Sequence, residues 1–224
     1  MEQKGESKIF ELIKKYNIDL EKLKSEQIKL VKNLEIKDKI DFKLADTFAA
    51  IDNTFIGNKM LSCVIVCDSD FEVIDQAYVI EKVRFPYIPG FRNYRELPVM
   101  IKAFEKLSLK PDVVLIPGNG LCHPRLGLAS HFGLATGVPS IGVSNSVVEC
   151  DVKEENIYRD NKKIGKVLFS KEGSNPLYIS PGDFISVETS YDLCKLMIRP
   201  PHKRPEPLHL AAKYTKEVRR ELSN

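Results

Sequence analysis

Three carboxylates stand at the ends of separate expected elements: Asp52, Glu96 and Asp183. Asp52 closes the apolar run Phe48-Ala49-Ala50-Ile51. Glu96 follows an aromatic, glycine-containing loop and precedes a helix, and Asp183 follows Gly182 at the end of a late strand. Each has an ordinary structural use, as strand punctuation, as an acid interacting with a helix dipole, or as a turn or helix cap. Together they can do more. Acids at the ends of separate elements can converge on one sheet edge, although spacing alone does not prove convergence. Clustered carboxylates repel unless a hard cation joins them, and Mg²⁺ prefers oxygen ligands. In phosphodiester hydrolysis such a metal positions water and stabilises charge on the leaving oxygen. Asp112, in Lys-Pro-Asp just before a strand, reads more simply as a turn residue.

Two loops add to the pattern. Phe85-Pro86-Tyr87-Ile88-Pro89-Gly90-Phe91 is stiffened by two prolines and crowned by apolar groups. Such a loop either tucks a ring into the core or acts as a wedge entering a base stack. In Gly118-Asn119-Gly120-Leu121-Cys122-His123-Pro124 the glycines let backbone approach a ligand closely, though ordinary turns use glycine too. His123 and His131 lack the i, i+4 spacing of helical zinc ligands.

The elements that must position these residues follow from periodicity. Ile9, Phe10, Ile13 and Tyr16 have helical spacing, and Asp19 can cap a second helix carrying Leu20, Leu23, Leu30, Val31 and Leu34. Residues 1–45 read as a helical N-terminal extension, and 46–224 as one domain with a basic helical tail. Phe48–Ile51, Leu61–Cys67 and Val73–Val83 read as meandering strands separated at Asn58 and Asp68-Ser69-Asp70. A helix then runs through Leu97, Met100, Ala103, Phe104 and Leu107. Pro98 fits only its first turn, which puts Glu96 near its N-terminus. Val113–Ile116 (strand), Leu126–Ala135 (helix) and Ser140–Val143 (strand) follow, then polar residues 150–165 as loop or hairpin. A strand at Pro176–Ser180, a helix from Ser186 to Ile198 and a helical tail from His209 complete the chain. This order gives an α/β mixed sheet whose later strands, joined by short connections, lie parallel.

Length and composition exclude several classes. The 224 residues are 43% hydrophobic, which fits a globular chain rather than a disordered one. No apolar run approaches the roughly 20 residues of a membrane span, so no membrane partner is expected. Met1–Lys8 is charged and lacks a leader-type apolar region, and the five cysteines form no CxxC pair. A cytoplasmic protein with reduced thiols is the expectation. The net charge of +3 is too small to argue for nucleic acid by itself, but its distribution is uneven. Residues 199–224 carry seven basic against three acidic side chains, whereas residues 46–198 carry 16 against 19.

The motifs Phe85–Phe91 with Tyr94-Arg95-Glu96, Gly118–Arg125 and Gly127-Leu128-Ala129-Ser130-His131-Phe132-Gly133 resemble the endonuclease V family. So do Pro139–Val143, Asn175–Ser180 and Arg204-Pro205-Glu206-Pro207, in the same order, from about Asp46 to Ala212. The resemblance implies a ribonuclease H-like fold and a Mg²⁺-dependent endonuclease (Mn²⁺ able to substitute). Such an enzyme cuts DNA or RNA at the second phosphodiester bond 3′ to a deaminated adenine, inosine, in nucleic-acid repair. It implies Asp52 and Glu96 as catalytic and metal-binding carboxylates, and Tyr87, Ile88 and Pro89 as a strand-separating wedge. Gly90, Gly120, Leu121, His123 and Gly127 match positions around a flipped base. The family's second metal-binding aspartate falls on Pro117, its phosphate-facing lysine on Asn145, and a histidine on Asp183. Two expectations follow: that Asp183 restores the metal site, or that the protein is an inosine-binding paralogue with weak or no cleavage. A monomer is the favoured state.

Overall fold

The computed structural model describes residues 2–223. Helices α1 (Glu2–Lys15) and α2 (Leu20–Leu30) open the chain. α2 starts where its cap places it, with the Asp19 carboxylate accepting from the Lys22 amide at 2.9 Å. The strands are β1 (Phe48–Ile56), β2 (Lys59–Cys67), β3 (Val73–Lys82), β4 (Val113–Pro117), β5 (Ser140–Ser144), β6 (Asp151–Lys153), β7 (Asn156–Arg159), β8 (Lys162–Leu168) and β9 (Leu177–Asp183). They form one sheet in the order β3-β2-β1-β4-β5-β9-β8-β7-β6. β1, β2 and β3 are an antiparallel meander, while β4 and β5 run parallel to β1. This is the ribonuclease H-like α/β arrangement. The polar stretch 150–165 is more regular than a loop or single hairpin, since β6, β7 and β8 extend the sheet beyond β9.

Helices α3 (Arg92–Phe104) and α4 (Leu128–Thr136) cover one face of the sheet; α5 (Val187–Leu196) and α6 (Glu206–Glu221) cover the other. Strand alternation assigns the faces. Ala49 and Ile51 pack with Leu97, Met100 and Phe132, whereas Phe48 and Ala50 pack with Cys194, Leu208 and Ala211. Phe132 is fully buried, and burying a ring of this size contributes on the order of 3 kcal/mol.

Pro98 departs from expectation. α3 begins at Arg92, so the proline lies in the second turn rather than the first. The helix tolerates it because Pro98 faces solvent, where ring and unpaired carbonyl meet water.

The N-terminal section packs against the body. Gln27 is fully buried; its amide donates to the Gly90 carbonyl at 3.1 Å, and its oxygen accepts from Arg125 Nε at 2.7 Å. Further along, the Glu35 amide donates to Asp183 and Lys39 stacks over the Phe184 ring. No helix of the described residues is long and apolar enough to cross a membrane.

Candidate functional site

The parallel strands end at a cleft of about 440 Å³. Register explains its floor. Ala50 pairs with Leu115, so two residues further Asp52 lies level with Pro117, which itself pairs with Val143. β1 runs on past the end of β4, and the exposed edge of β1 becomes one wall. Asp52, Asn53, Arg92, Pro117, Asn119, His123, Asn145 and Arg204 line the space. By alternation Asp52 shares the face of Ala50, toward α6, and Asn53 shares that of Ile51, toward α3. Burial pushes the Asp52 carboxyl above its usual range, and the Thr215 hydroxyl, Arg204 and Lys216 pull it back.

Glu96 is 5% exposed and both its oxygens are engaged. Arg92, one turn earlier on α3, donates Nε to Oε1 at 2.6 Å and Nη2 to Oε2 at 2.9 Å. Asn53 Nδ2 donates to the same Oε2 at 3.0 Å. The remaining fork of the guanidinium, Nη1, donates to the Pro117 carbonyl at 3.0 Å. A bidentate, charge-assisted pair of this kind is among the stronger polar contacts and fixes geometry as well as charge. The guanidinium thus ties α3 to the end of β4, between the carboxylate and the position where the family's second aspartate would stand. Arg92 escaped the sequence reading, although i, i+4 spacing to Glu96 was a readable signal.

Asp183 lies elsewhere. It pairs with Ser140 at the start of β5, whereas the cleft is at Val143–Asn145. Three residues of strand separate the two, roughly 10 Å at ~3.3 Å per residue. Asp183 is fully buried under α4; its Oδ1 accepts from the Glu35 amide at 2.8 Å and the Phe184 amide at 3.1 Å. The expectation that Asp183 joins Asp52 and Glu96 is therefore corrected: β9 is antiparallel to β5, which carries its last residue to the opposite end of the strands. Asp112 is structural, as expected, accepting from Asp46 and Thr47.

These residues do not fit Mg²⁺, which asks for near-octahedral oxygen ligation. Both Glu96 oxygens are engaged by a resident cation, Pro117 offers only a carbonyl already bonded to Arg92, and Asp183 is at the other end. Among the described residues, no third His, Cys, Asp or Glu clusters with Asp52 and Glu96.

The loops divide differently from expectation. Tyr87 is 60% exposed and Pro89 is also at the surface, but Ile88 is buried. Ile88 therefore anchors the loop from below, and Tyr87 and Pro89 form its tip. Gly90 adopts a φ of +79° and stacks beneath Arg125, which is open to glycine without strain. A Cβ at Gly120 would strike the Pro181 carbonyl, and one at Gly127 would strike the backbone of Asn119 and Gly120. Those two glycines serve backbone packing against backbone rather than approach of a ligand. Leu121 is held by its amide to the Pro181 carbonyl at 2.9 Å, and Arg159 of β7 fastens the turn through the carbonyls of Leu121 and His123. His123 does reach the cleft. Burial, with Arg125 and Arg159 nearby, lowers its pKa to about 4. The ring is neutral at pH 7. Its Nδ1 accepts from the Arg125 amide at 3.1 Å, which assigns the proton to Nε2. Asn145 carries no charge, but Lys203 places its ammonium 3.5 Å from the Asn145 oxygen.

The endonuclease V family model matches residues 28–213. The chain belongs to the endonuclease V family. An endonuclease V of Thermosipho melanesiensis is 38% identical over 184 residues, covering 78% of this chain and 81% of the relative. The crystal structure of the Bacillus subtilis endonuclease V superposes with a TM-score of 0.83 at 26% identity, covering 92% of this chain and 94% of that one. A Ciona intestinalis endonuclease V, solved with a 24mer DNA containing an inosine followed by a ribo-adenosine, gives a TM-score of 0.80 at 20% identity, with 91% and 98% coverage. The endonuclease V match begins at residue 28, within α2.

Proposed function

We propose that this member of the endonuclease V family engages DNA or RNA at a deaminated adenine and holds the lesion better than it cuts it. The observation that carries this reading is the Arg92 fork, which occupies both Glu96 oxygens and the Pro117 carbonyl. What remains is a cleft suited to binding. Arg204 lines it, Lys203 stands at Asn145, and Lys216 lies near Asp52. These cations meet phosphate without a metal. Neutral His123 offers an Nε2–H donor, which suits the keto oxygen of hypoxanthine and opposes the amino group of adenine. A donor facing a donor leaves both unpaired, the strongest form of polar discrimination. The exposure of Tyr87 and Pro89 on a loop with two prolines supports a role for them in holding strands apart.

Retention of Asp52 in the cleft supports a second reading, residual hydrolysis with Mg²⁺ or Mn²⁺ at the second phosphodiester bond 3′ to inosine. One experiment separates them: inosine- and adenine-containing strands, DNA and RNA, single and duplex, with EDTA, Mg²⁺ or Mn²⁺. The proposal expects inosine-selective binding in EDTA and little product in any lane. Rapid cutting in Mg²⁺, with binding lost in EDTA, would overturn it in favour of a working hydrolase.

A further inference from the structure

Outside the cleft, the turn leading into α6 brings together two imidazoles and a carboxylate. Ligand atoms of His202, Glu206 and His209 all lie within 4.8 Å of one another. His202 Nδ1 and Glu206 Oε2 are 2.7 Å apart, and the two imidazole rings stack at 3.5 Å between centroids and 16° between planes. The arrangement is built by backbone rather than by chance meeting of surface side chains. Glu206 and His209 are three residues apart on the first turns of α6, so they share a face. His202 is brought to that face by its amide bond to the Arg199 carbonyl at 2.8 Å. The Glu206 amide bonds to the Met197 carbonyl at 2.8 Å, and the Ile198–Pro205 bridge closes the turn between them. The Glu206 side chain is only 14% exposed and that of His202 32%.

Two imidazoles with one carboxylate, leaving a position open, form a nitrogen-rich set. It suits Zn²⁺ and excludes the hard cations that want oxygen alone. We infer that His202, Glu206 and His209 form a Zn²⁺-type site that pins the 199–205 turn to α6. The turn carries Arg204, which lines the cleft, and Lys203, which meets Asn145. Metal here would fix the phosphate-facing cations in place. Its ligands are distinct from Asp52 and Glu96, and metal binding here does not depend on the function proposed above. Lys213 and Lys216, which lie near His209, set the opposing charge that any cation at this site meets.

The test uses the full chain stripped of metal. Titration with Zn²⁺ by calorimetry should show one equivalent bound, and Co²⁺ should give the visible absorption of a low-coordinate nitrogen-containing site. His202→Ala and His209→Ala should each weaken Zn²⁺ binding by about tenfold or more, while circular dichroism shows both still folded. Asp52→Asn should bind Zn²⁺ as the unaltered protein does. Absence of stoichiometric binding in the unaltered protein would overturn the inference. So would undiminished binding in both histidine variants, or loss of binding in Asp52→Asn.

Discussion

Arg92 changes the meaning of the residues around it. Glu96 in a ribonuclease H-like cleft suggests a metal ligand; Glu96 with both oxygens bonded to a guanidinium is the buried half of an ion pair whose arginine stays partly exposed. Removing the arginine alone strands a buried carboxylate, a change that costs on the order of 3–5 kcal/mol where no partner replaces it. Asn53 still donates to Glu96, so Arg92→Leu should lower stability by less, about 1–3 kcal/mol, in urea melts. Asp183 offers a contrasting case. Asp183→Ala should also cost about 1–3 kcal/mol, because it leaves the Glu35 and Phe184 amides without their acceptor. It should leave inosine binding unchanged in a mobility-shift assay. A binding defect in a folded Asp183→Ala protein would return that residue to the site. His123 and His131 are both held neutral by burial, each near a pKa of about 4. In the unfolded chain they titrate near the ordinary 6.5, so unfolding takes up protons between these values. Their contribution to stability is complete above pH 6.5 and is lost as pH falls toward 4. Asp52 and Asp183, held above the usual carboxylate range, act the other way, since the native state takes their protons more readily. Urea midpoints should therefore drop between pH 7 and pH 4.5, and His131→Asn should flatten part of that drop.

The elements that carry these residues were legible to different degrees. The meander β1–β3 and the parallel pair β4 and β5 follow from apolar runs and turn residues, because β1, β2, β4 and β5 are largely buried and β3, though mostly exposed, is bounded by clear turn residues. β6–β8 were legible only as a loop or hairpin, since β6 and β7 are short and give no clear alternation, and the apolar end of β8 lies beyond residue 165. The start of α3 was misplaced because Pro98 reads in the sequence as confined to a first turn, whereas on the solvent face the carbonyl it leaves unpaired is met by water and the helix continues through it. Pro98→Ala should restore an intrahelical donor and raise stability by about 1 kcal/mol, measured by urea melts; a loss would show that the proline is packed. At the site, Asp52 could be picked out by its place at the end of an apolar run, and His123 through the family resemblance. The position of Asp183 could not, because it depends on β9 running antiparallel to β5, a fact of sheet order rather than of local pattern.

Taken over the whole molecule, a sheet with helices on both faces delivers a basic cleft at one end of its central strands and a buried carboxylate at the other. The seven basic residues of 199–224 include Lys203, Arg204 and Lys216 near that cleft. If about four phosphates are met there, binding of an inosine strand should weaken by about 10²-fold between roughly 50 and 200 mM salt. A flat salt response would argue against a phosphate-binding surface. The core that holds the two edges together is centred on residues such as Phe132, and Phe132→Ala should cost about 3–5 kcal/mol. The central claim is that a guanidinium stands where a divalent cation would otherwise be held. It is tested most directly by single-turnover cleavage of an inosine strand in Mg²⁺, comparing the unaltered protein with the double variant Arg92→Leu, Pro117→Asp. Freeing Glu96 and returning a carboxylate beside Asp52 should raise the rate by about tenfold or more, ~1.4 kcal/mol of barrier. Fast cutting by the unaltered protein that the double variant does not exceed would contradict it.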